Sequence, residues 1–482
     1  MESTSKNFWL ELLRYGETEE DRRRNWNVCC WAMFRQHLDR LTFGNAGELQ
    51  SVLEFNPLGV DTQKLLMEVE ERIGYLPELP DDPVREPSMN FRNEIFEGDV
   101  SFSGRLLIGA DFEDAEFKKA ADFRGVQFLA PTNFKNARFP STEPATPGVA
   151  SFASSRFYNR VDFTETRFPY DTKFKDVRFD GAALFRNATF QAKKDHSGSP
   201  YGVSSFARSV FRVEADFSGS TFCAAGKFDG VEFKDAAKFE DARFQGKCDF
   251  NNASFKGTTS FANVAFTRPP LFFETQLHED VKFNQVDWSI AESSYKRSWH
   301  ILASPEHVRE VERDAGDAVR AWDRLAFIMS QREKLPERHL FFGLKMRALR
   351  DRDGCTLPSI MNFLFDVTCD YGWGIRKAFL WWFGHIALGA LILGVAALMG
   401  PASGDSSFWH SVGDGASVSF ANAHAFLGLA SEGGYLHDAR SALGDAVQLK
   451  WAFKCVGVVQ AVLGPILLFL LLLTLRNHFR LV

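Results

Sequence analysis

The sequence predicts a solenoid of short strands stacked coil on coil, capped at its N-terminal end by helices and followed by a helical connector and two apolar spans. Three observations predict it. Phe makes up 49 of 482 residues and returns at alternating steps of five and six over residues 91–288. Small residues and turn-formers hold fixed places between the rings. Near the C-terminus, residues 378–399 and 456–475 are apolar for long enough to cross ~30 Å of hydrocarbon.

The Phe spacing is clearest in three runs. Phe112, Phe117, Phe123, Phe128, Phe134 and Phe139 set the pattern, Phe152 to Phe190 repeats it, and a third run leads from Phe206 to Phe283. A period near eleven is too short for stacked helix pairs, and it fits neither the 3.6 of a helix nor the 2 of an ordinary strand. Two residues before each second Phe stands a small side chain: Ala115, Ala137, Ser155, Thr166, Val177, Ala188, Ser209, Ala242 and Ala253. Between the two rings lies a turn-former, as at Asp114, Gly125, Asn136, Asp176, Asn187, Gly219, Gly230, Asp241 and Asn252. A chain that turns a corner every five or six residues, with one ring inward per side, satisfies all three columns. Two Pro-, Gly- and Ser-rich gaps, residues 140–150 and 191–203, read as loops pushed out of the solenoid.

These columns resemble the pentapeptide-repeat family in its Phe-centred form, written here as Ala110-Asp111-Phe112-Glu113-Asp114-Ala115-Glu116-Phe117. The resemblance implies a mixed fold: a right-handed quadrilateral β-helix with a helical N-terminal cap, a helical connector and a two-span α-helical transmembrane domain. At ~4.8 Å per strand spacing, roughly nine coils make a rod on the order of 40 Å long.

Composition narrows the function classes. A formal charge of -6 is mild for this length, and a mean hydropathy of -0.20 averages a polar body with an apolar tail. Seven cysteines with no C-x-x-C spacing read as reduced thiols in a cytoplasmic body. The charged opening stretch has no apolar run of a signal peptide. The scattered histidines form no H-E-x-x-H, and neither a Walker loop nor G-x-S-x-G occurs, so no enzyme, no cofactor and no metal site is expected.

In order along the chain, residues 1–75 read as a helical cap over the first coil, because a solenoid end exposes unpaired strand edges and apolar rings. Trp26, Cys30, Met33, Phe34, Leu38 and Leu41 recur at helical spacing, and Asp61 is placed to cap a helix burying Leu65, Leu66, Val69 and Ile73. Residues 76–90 are a Pro-rich linker, 91–288 the solenoid and 289–364 a helical connector punctuated by Pro336. The connector resembles that of membrane-bound pentapeptide-repeat proteins through Arg324-Leu325, Phe341-Phe342, Met346, Arg347 and Arg350. It departs from them at Lys345, where an acid is expected, which puts one salt bridge in question.

Residues 365–482 are read as the transmembrane domain. An Asp370-Tyr371-Gly372 elbow, also like that group, leads to Trp373, Arg376, Lys377, Trp381 and Trp382, which mark a membrane interface. Basic residues flank the first span on its N-terminal side and the second on its C-terminal side. The positive-inside bias therefore places both termini in the cytoplasm of a multi-pass bacterial inner-membrane protein. Between the spans, residues 408–429 are too polar to cross and too apolar for a loop, and read as a re-entrant segment. Helix, re-entrant segment, helix is the plan of two-span ion channels, without the potassium-filter sequence.

Two sets of candidate site residues follow. Ser419, Asn422, His424, Gln460, Gly464 and Pro465 are candidates for the pore or its gate; the alternative is that Gly and Ala pack the spans while Gln460 finds a backbone partner. Arg124, Lys135, Arg138, Arg156, Arg167, Lys175, Arg178 and Arg186 would form basic stripes along stacked coils, suited to phosphate; the alternative is a solvated face interleaved with acids. Because two spans cannot enclose a water path, a homo-oligomer is expected, most simply a tetramer. The layout resembles membrane effectors of bacterial anti-phage defence, notably the Hailong type. That resemblance implies membrane lipid and a nucleotide or oligonucleotide, made by a companion nucleotidyltransferase, as partners. A non-conducting membrane-anchored scaffold is the competing expectation.

Overall fold

The computed structural model describes residues 7–38, 62–77, 88–139, 149–194, 200–295, 305–398, 408–424 and 450–479. The chain divides into two compact units, Met1–Lys296 and Arg297–Val482. Asp61, Leu41 and the centres of both expected loops lie outside the described residues.

The first unit carries the solenoid. Strands of two or three residues form parallel sheets of eight, seven, seven and five strands, and each pairs with the strand one coil away in sequence. Ala215 faces Ala237 and Ala237 faces Thr259. Cross-coil bonds such as Asn133 to Asp111 and Asn263 to Asp241 span 22 residues, the length of one coil. Where the 191–203 segment intervenes the step becomes 32, as in the Arg208 to Asp176 contact, yet the columns stay in register. That segment leaves and re-enters as an antiparallel hairpin pairing Lys193 with Tyr201 and Lys194 with Pro200. Both loops end earlier than the sequence suggests, because Val149–Ser151 and Val203–Ser205 already pair as strands. The linker likewise ends before Met89, whose strand pairs Met89 with Ala110.

The rings form the core. Phe134, Phe163, Phe185, Phe217, Phe239 and Phe261 stack in one column at 4.7 to 5.1 Å with near-parallel planes. A second column through Phe152, Phe174, Phe206 and Phe228 meets the first edge-on, for example Phe185 against Phe206 at 5.4 Å. Offset-stacked and edge-on pairs add about 0.5–1.5 kcal/mol each beyond area burial. The small column is fully buried, and Thr166 Oγ1 donates to the Phe134 carbonyl at 2.7 Å.

Among the described residues, the turn between the two rings of each repeat uses the left-handed region. Asp114, Asn136, Asp176, Asn187, Asp241 and Asn252 have φ of 54 to 59°, and Gly125, Gly219 and Gly230 fill the equivalent place at 64 to 69°. Ser154, Glu165 and Arg208 adopt it as well, where no turn-former announces it. A further column becomes visible only in the structure. The Asp or Asn before a ring accepts from the backbone two residues on, as Asp111 does from Glu113 at 3.0 Å and Asp249 from Asn251 at 2.9 Å.

Helices α1 (Phe8–Leu13) and α2 (Glu19–Leu38) cover the first coil, and α3 (Thr62–Ile73) packs on them. Trp26 Nε1 donates to the Leu106 carbonyl at 2.7 Å, and Asn27 bridges Leu106 N and the Gly104 carbonyl. Arg105 is buried under them and pairs with Glu19 at 2.9 Å. At the other end Trp288 stacks on Phe266 at 5.6 Å and opens α4 (Trp288–Ser293), capped by Asp287.

The second unit is helical. Helices α5 (Pro305–Gln331) and α6 (Leu335–Asp353) pair, with Trp322 stacked on Phe341 at 6.0 Å. Lys345, the departure from the expected acid, reaches Asp323 at 2.7 Å. Then come α7 (Leu357–Cys369), the 370–372 elbow, α8 (Ile375–Leu398), α9 (Phe408–Ala423) and α10 (Lys450–Phe479). Within α8 and α10, Ile375–Val395 and Lys454–Phe479 are long and apolar enough to cross a membrane.

Candidate functional site

The basic stripes resolve into unequal groups. Arg124 closes on Asp122 through two bonds of 2.7 and 2.8 Å, and Arg186 is held by the buried Asp216. That hydrogen bond raises the Arg186 pKa. At Asp216, burial opposes ionisation, but hydrogen bonds from Ser218 and Arg186 outweigh it and keep the carboxyl below its ordinary range. Arg138 and Arg167 are exposed neighbours in one column, Lys175 is an exposed corner residue, and Lys135 flanks a cavity of ≈ 310 Å³ with Arg160 and Asp162.

Arg156 and Arg178 come together, and the structure adds a third cation that the sequence reading missed. Asp180 Oδ2 accepts from Arg156 Nε at 2.6 Å, while its Oδ1 takes Arg178 Nε at 3.0 Å and lies 3.1 Å from Arg212 Nε. Arg156 also lies over Tyr158 at 4.1 Å. Three guanidiniums thus converge on one carboxylate in the column that follows the second ring. Arg212 follows a second Phe, Phe211, just as Asp180 follows Phe179 and Tyr158 follows Phe157; that column was the signal that locates it.

In the second unit, α8, α9 and α10 pack against one another around a polar knot. Gln460, 3% exposed, donates to Ser419 Oγ at 2.5 Å and to the His385 carbonyl at 3.3 Å, and Ser419 Oγ donates to the Ile386 carbonyl at 2.7 Å. Gln460 Oε1 is left buried with no partner among the described residues. Glycines let the helices close on it. A Cβ on Gly389 would stand 1.9 Å from Gln460 Nε2, one on Gly415 2.7 Å from the Ala390 carbonyl oxygen, and one on Gly464 2.1 Å from that of Ala423.

Asn422 and His424 are buried in the same packing, with His424 against Phe420 and Trp382. Pro465, half-buried inside α10, supplies no N–H to the helix ladder. Thus Ser419, Asn422, His424, Gln460 and Gly464 all face helix neighbours of their own chain. The turn expected after α9, residues 425–429, lies outside the described residues.

The elbow joins four helices. Asp370, Tyr371 and Gly372 take φ of 49, 53 and 85°, a costly conformation for an aromatic residue. Tyr371 Oη donates to Asn362 Oδ1 at 2.6 Å, Asn362 Nδ2 to the Met346 carbonyl at 2.7 Å and Asn477 Nδ2 to the Gly372 carbonyl at 3.1 Å. His339 lies 3.0 Å from the Asp370 carbonyl and stacks on Trp373 at 4.7 Å. Arg347 spans Asp366 and Asp370 at 3.2 and 3.5 Å. Among the described residues no cluster of three or more His, Cys, Asp or Glu is placed to hold a metal ion.

Comparison with known families agrees with this geometry. A family model described as pentapeptide repeats (9 copies) matches residues 228–276. The chain therefore carries pentapeptide repeats in a parallel-strand, solenoid-like region with helices at both ends and two candidate membrane helices near the C-terminus. No curated protein and no solved structure matches it.

Proposed function

We propose that the chain is the protomer of an oligomeric membrane pore or ion channel, with its repeat region, a right-handed quadrilateral β-helix, acting as a cytoplasmic sensor. In this reading it is a Hailong-type effector of anti-phage defence in the bacterial inner membrane, with both termini cytoplasmic. A nucleotide or oligonucleotide binds the Arg156–Arg178–Arg212 patch and sets the state of the pore. The observation that carries the reading is the buried Gln460, whose Oε1 has no partner among the described residues, five residues before Pro465 inside α10. Polar groups held dry at membrane depth are expensive, and a helix that only anchors has no use for one. Pro465 weakens α10 beside the knot, so the two together make a gate.

One observation favours a non-conducting scaffold: the donors of the knot, Gln460 Nε2 and Ser419 Oγ, are met within one chain, as tight packing alone would arrange. Ion flux from liposomes carrying the purified protein separates the readings. The pore predicts dye or ion release that changes with added oligonucleotide and is lost in Gln460→Leu. Intact oligomers that conduct under no ligand condition refute it.

A further inference from the structure

Helix α7 is built inside out. Leu357, Ile360, Met361, Phe363 and Leu364 point outward and are 45 to 69% exposed, although all are large and apolar. The inward face carries Ser359, Asn362, Asp366 and Cys369 at helical spacing, and its polar groups are engaged. Asn362 bonds the Met346 carbonyl and Tyr371, and Asp366 takes Arg347 at 3.2 Å and Arg350 at 3.3 Å. A helix meeting water would have these faces exchanged, and a contiguous apolar patch of this kind marks an interaction surface.

We propose that α7 is an interfacial helix that lies in the bilayer surface with this face in the acyl chains, the occupant being lipid. Three features select lipid. The face continues onto α8 through Phe379, Leu380, Trp381 and Phe383, all exposed, and Trp381 Nε1 donates to the Val367 carbonyl at 3.2 Å. α8 is itself one of the two helices apolar enough to span. Exposed Arg376 and Lys377 lie in the sequence between the apolar residues of α7 and those of α8, as bases that meet headgroup phosphates do. Bonds from Asp366 to Arg347 and from Asn362 to Tyr371 tie the helix to α6 and to the 370–372 elbow.

The inference rests on the membrane reading of α8 and α10, so its test contains a control for each. Cys223, Cys355 and Cys455, the thiols not buried, are replaced by Ser in the full chain. Nitroxides are then placed one at a time by Ile360→Cys, Met361→Cys, Leu364→Cys, Ser359→Cys, Leu388→Cys and Val462→Cys. The protein is reconstituted in phosphatidylcholine–phosphatidylglycerol vesicles, and collision with oxygen is compared with collision with a water-soluble nickel chelate. The expected result is oxygen-rich, nickel-poor labels at 360, 361 and 364, at shallower depth than 388 and 462, with 359 closed to both reagents. Nickel access at 360, 361 and 364 while 388 and 462 remain oxygen-rich overturns the inference alone. Low access to both reagents at those three positions also overturns it, since a second copy or another segment then covers the face. Nickel access at 388 and 462 overturns the membrane reading itself.

Discussion

Gly464→Ala puts a methyl group where there is no room. The new Cβ would stand 2.1 Å from the Ala423 carbonyl oxygen and 2.8 Å from Ala423 Cα, both backbone atoms at the end of α9, so no side chain can swing aside. A normal carbon–oxygen contact is longer by about 1 Å, and α10 must retreat from α9 by about that much. Such overpacking costs about 1–3 kcal/mol. The same retreat stretches the 2.5 Å Gln460–Ser419 bond out of range, adding about 1 kcal/mol. Helix propensity returns about 1 kcal/mol, leaving a net loss of about 1–3 kcal/mol. Gly384→Ala is the control, because nothing lies within 4 Å of its Cβ and only the propensity gain remains. Thermal melting of the two variants in the same detergent checks this, with Gly464→Ala well below wild type and Gly384→Ala at or above it. Equal melting temperatures would refute the close-packed knot.

Three further outcomes are expected. Phe185→Ala removes a ring stacked at 4.8 and 4.7 Å between Phe163 and Phe217 and costs about 3–5 kcal/mol, read as a lowered melting temperature of the full chain. If the arginine patch holds phosphates, replacing Arg156 and Arg212 together by Gln weakens oligonucleotide binding and flattens the plot of log affinity against log salt by about 0.7–0.9 per lost contact; an unchanged slope excludes the patch. Burial holds the His339 pKa below 6.5, against the pull of Asp370. Between that lowered value and 6.5 the unfolded chain binds a proton that the folded chain does not, so stability is complete above 6.5 and falls as pH drops through the window. His339→Gln should therefore lose less melting temperature than wild type between pH 7.5 and pH 5.5.

The solenoid was legible because each ring serves one column, so the Phe spacing is the register itself. The corner residues were legible for a related reason: a left-handed φ at Asn136 or Gly219 leaves a chemical trace in the choice of residue. Where Ser154, Glu165 or Arg208 takes the same conformation the trace disappears, and only stacking on neighbouring coils reveals the corner. The knot was half legible. Gln460 is conspicuous in an apolar run, but Ser419 lies 41 residues away and nothing in the chain links them. Arg212 belongs to the column after the second ring, where Tyr158, Asp180 and Arg212 follow one another with no common charge, so the sequence carries no basic stripe there. The reversed polarity of α7 is invisible without knowing which face meets Arg347 and Tyr371, because Asn362 and Asp366 look like ordinary solvent-facing positions.

The hairpin at 193–194 and 200–201 shows that chain length and coil register are uncoupled at one corner. Ten extra residues have been taken up there while Phe174 still stacks on Phe206 at 4.8 Å and Phe185 on Phe217 at 4.7 Å. That corner is the natural port for a foreign sequence. A fluorescent domain or affinity tag spliced between Lys194 and Pro200 would ride on the spindle without disturbing it, and would report its movement from outside.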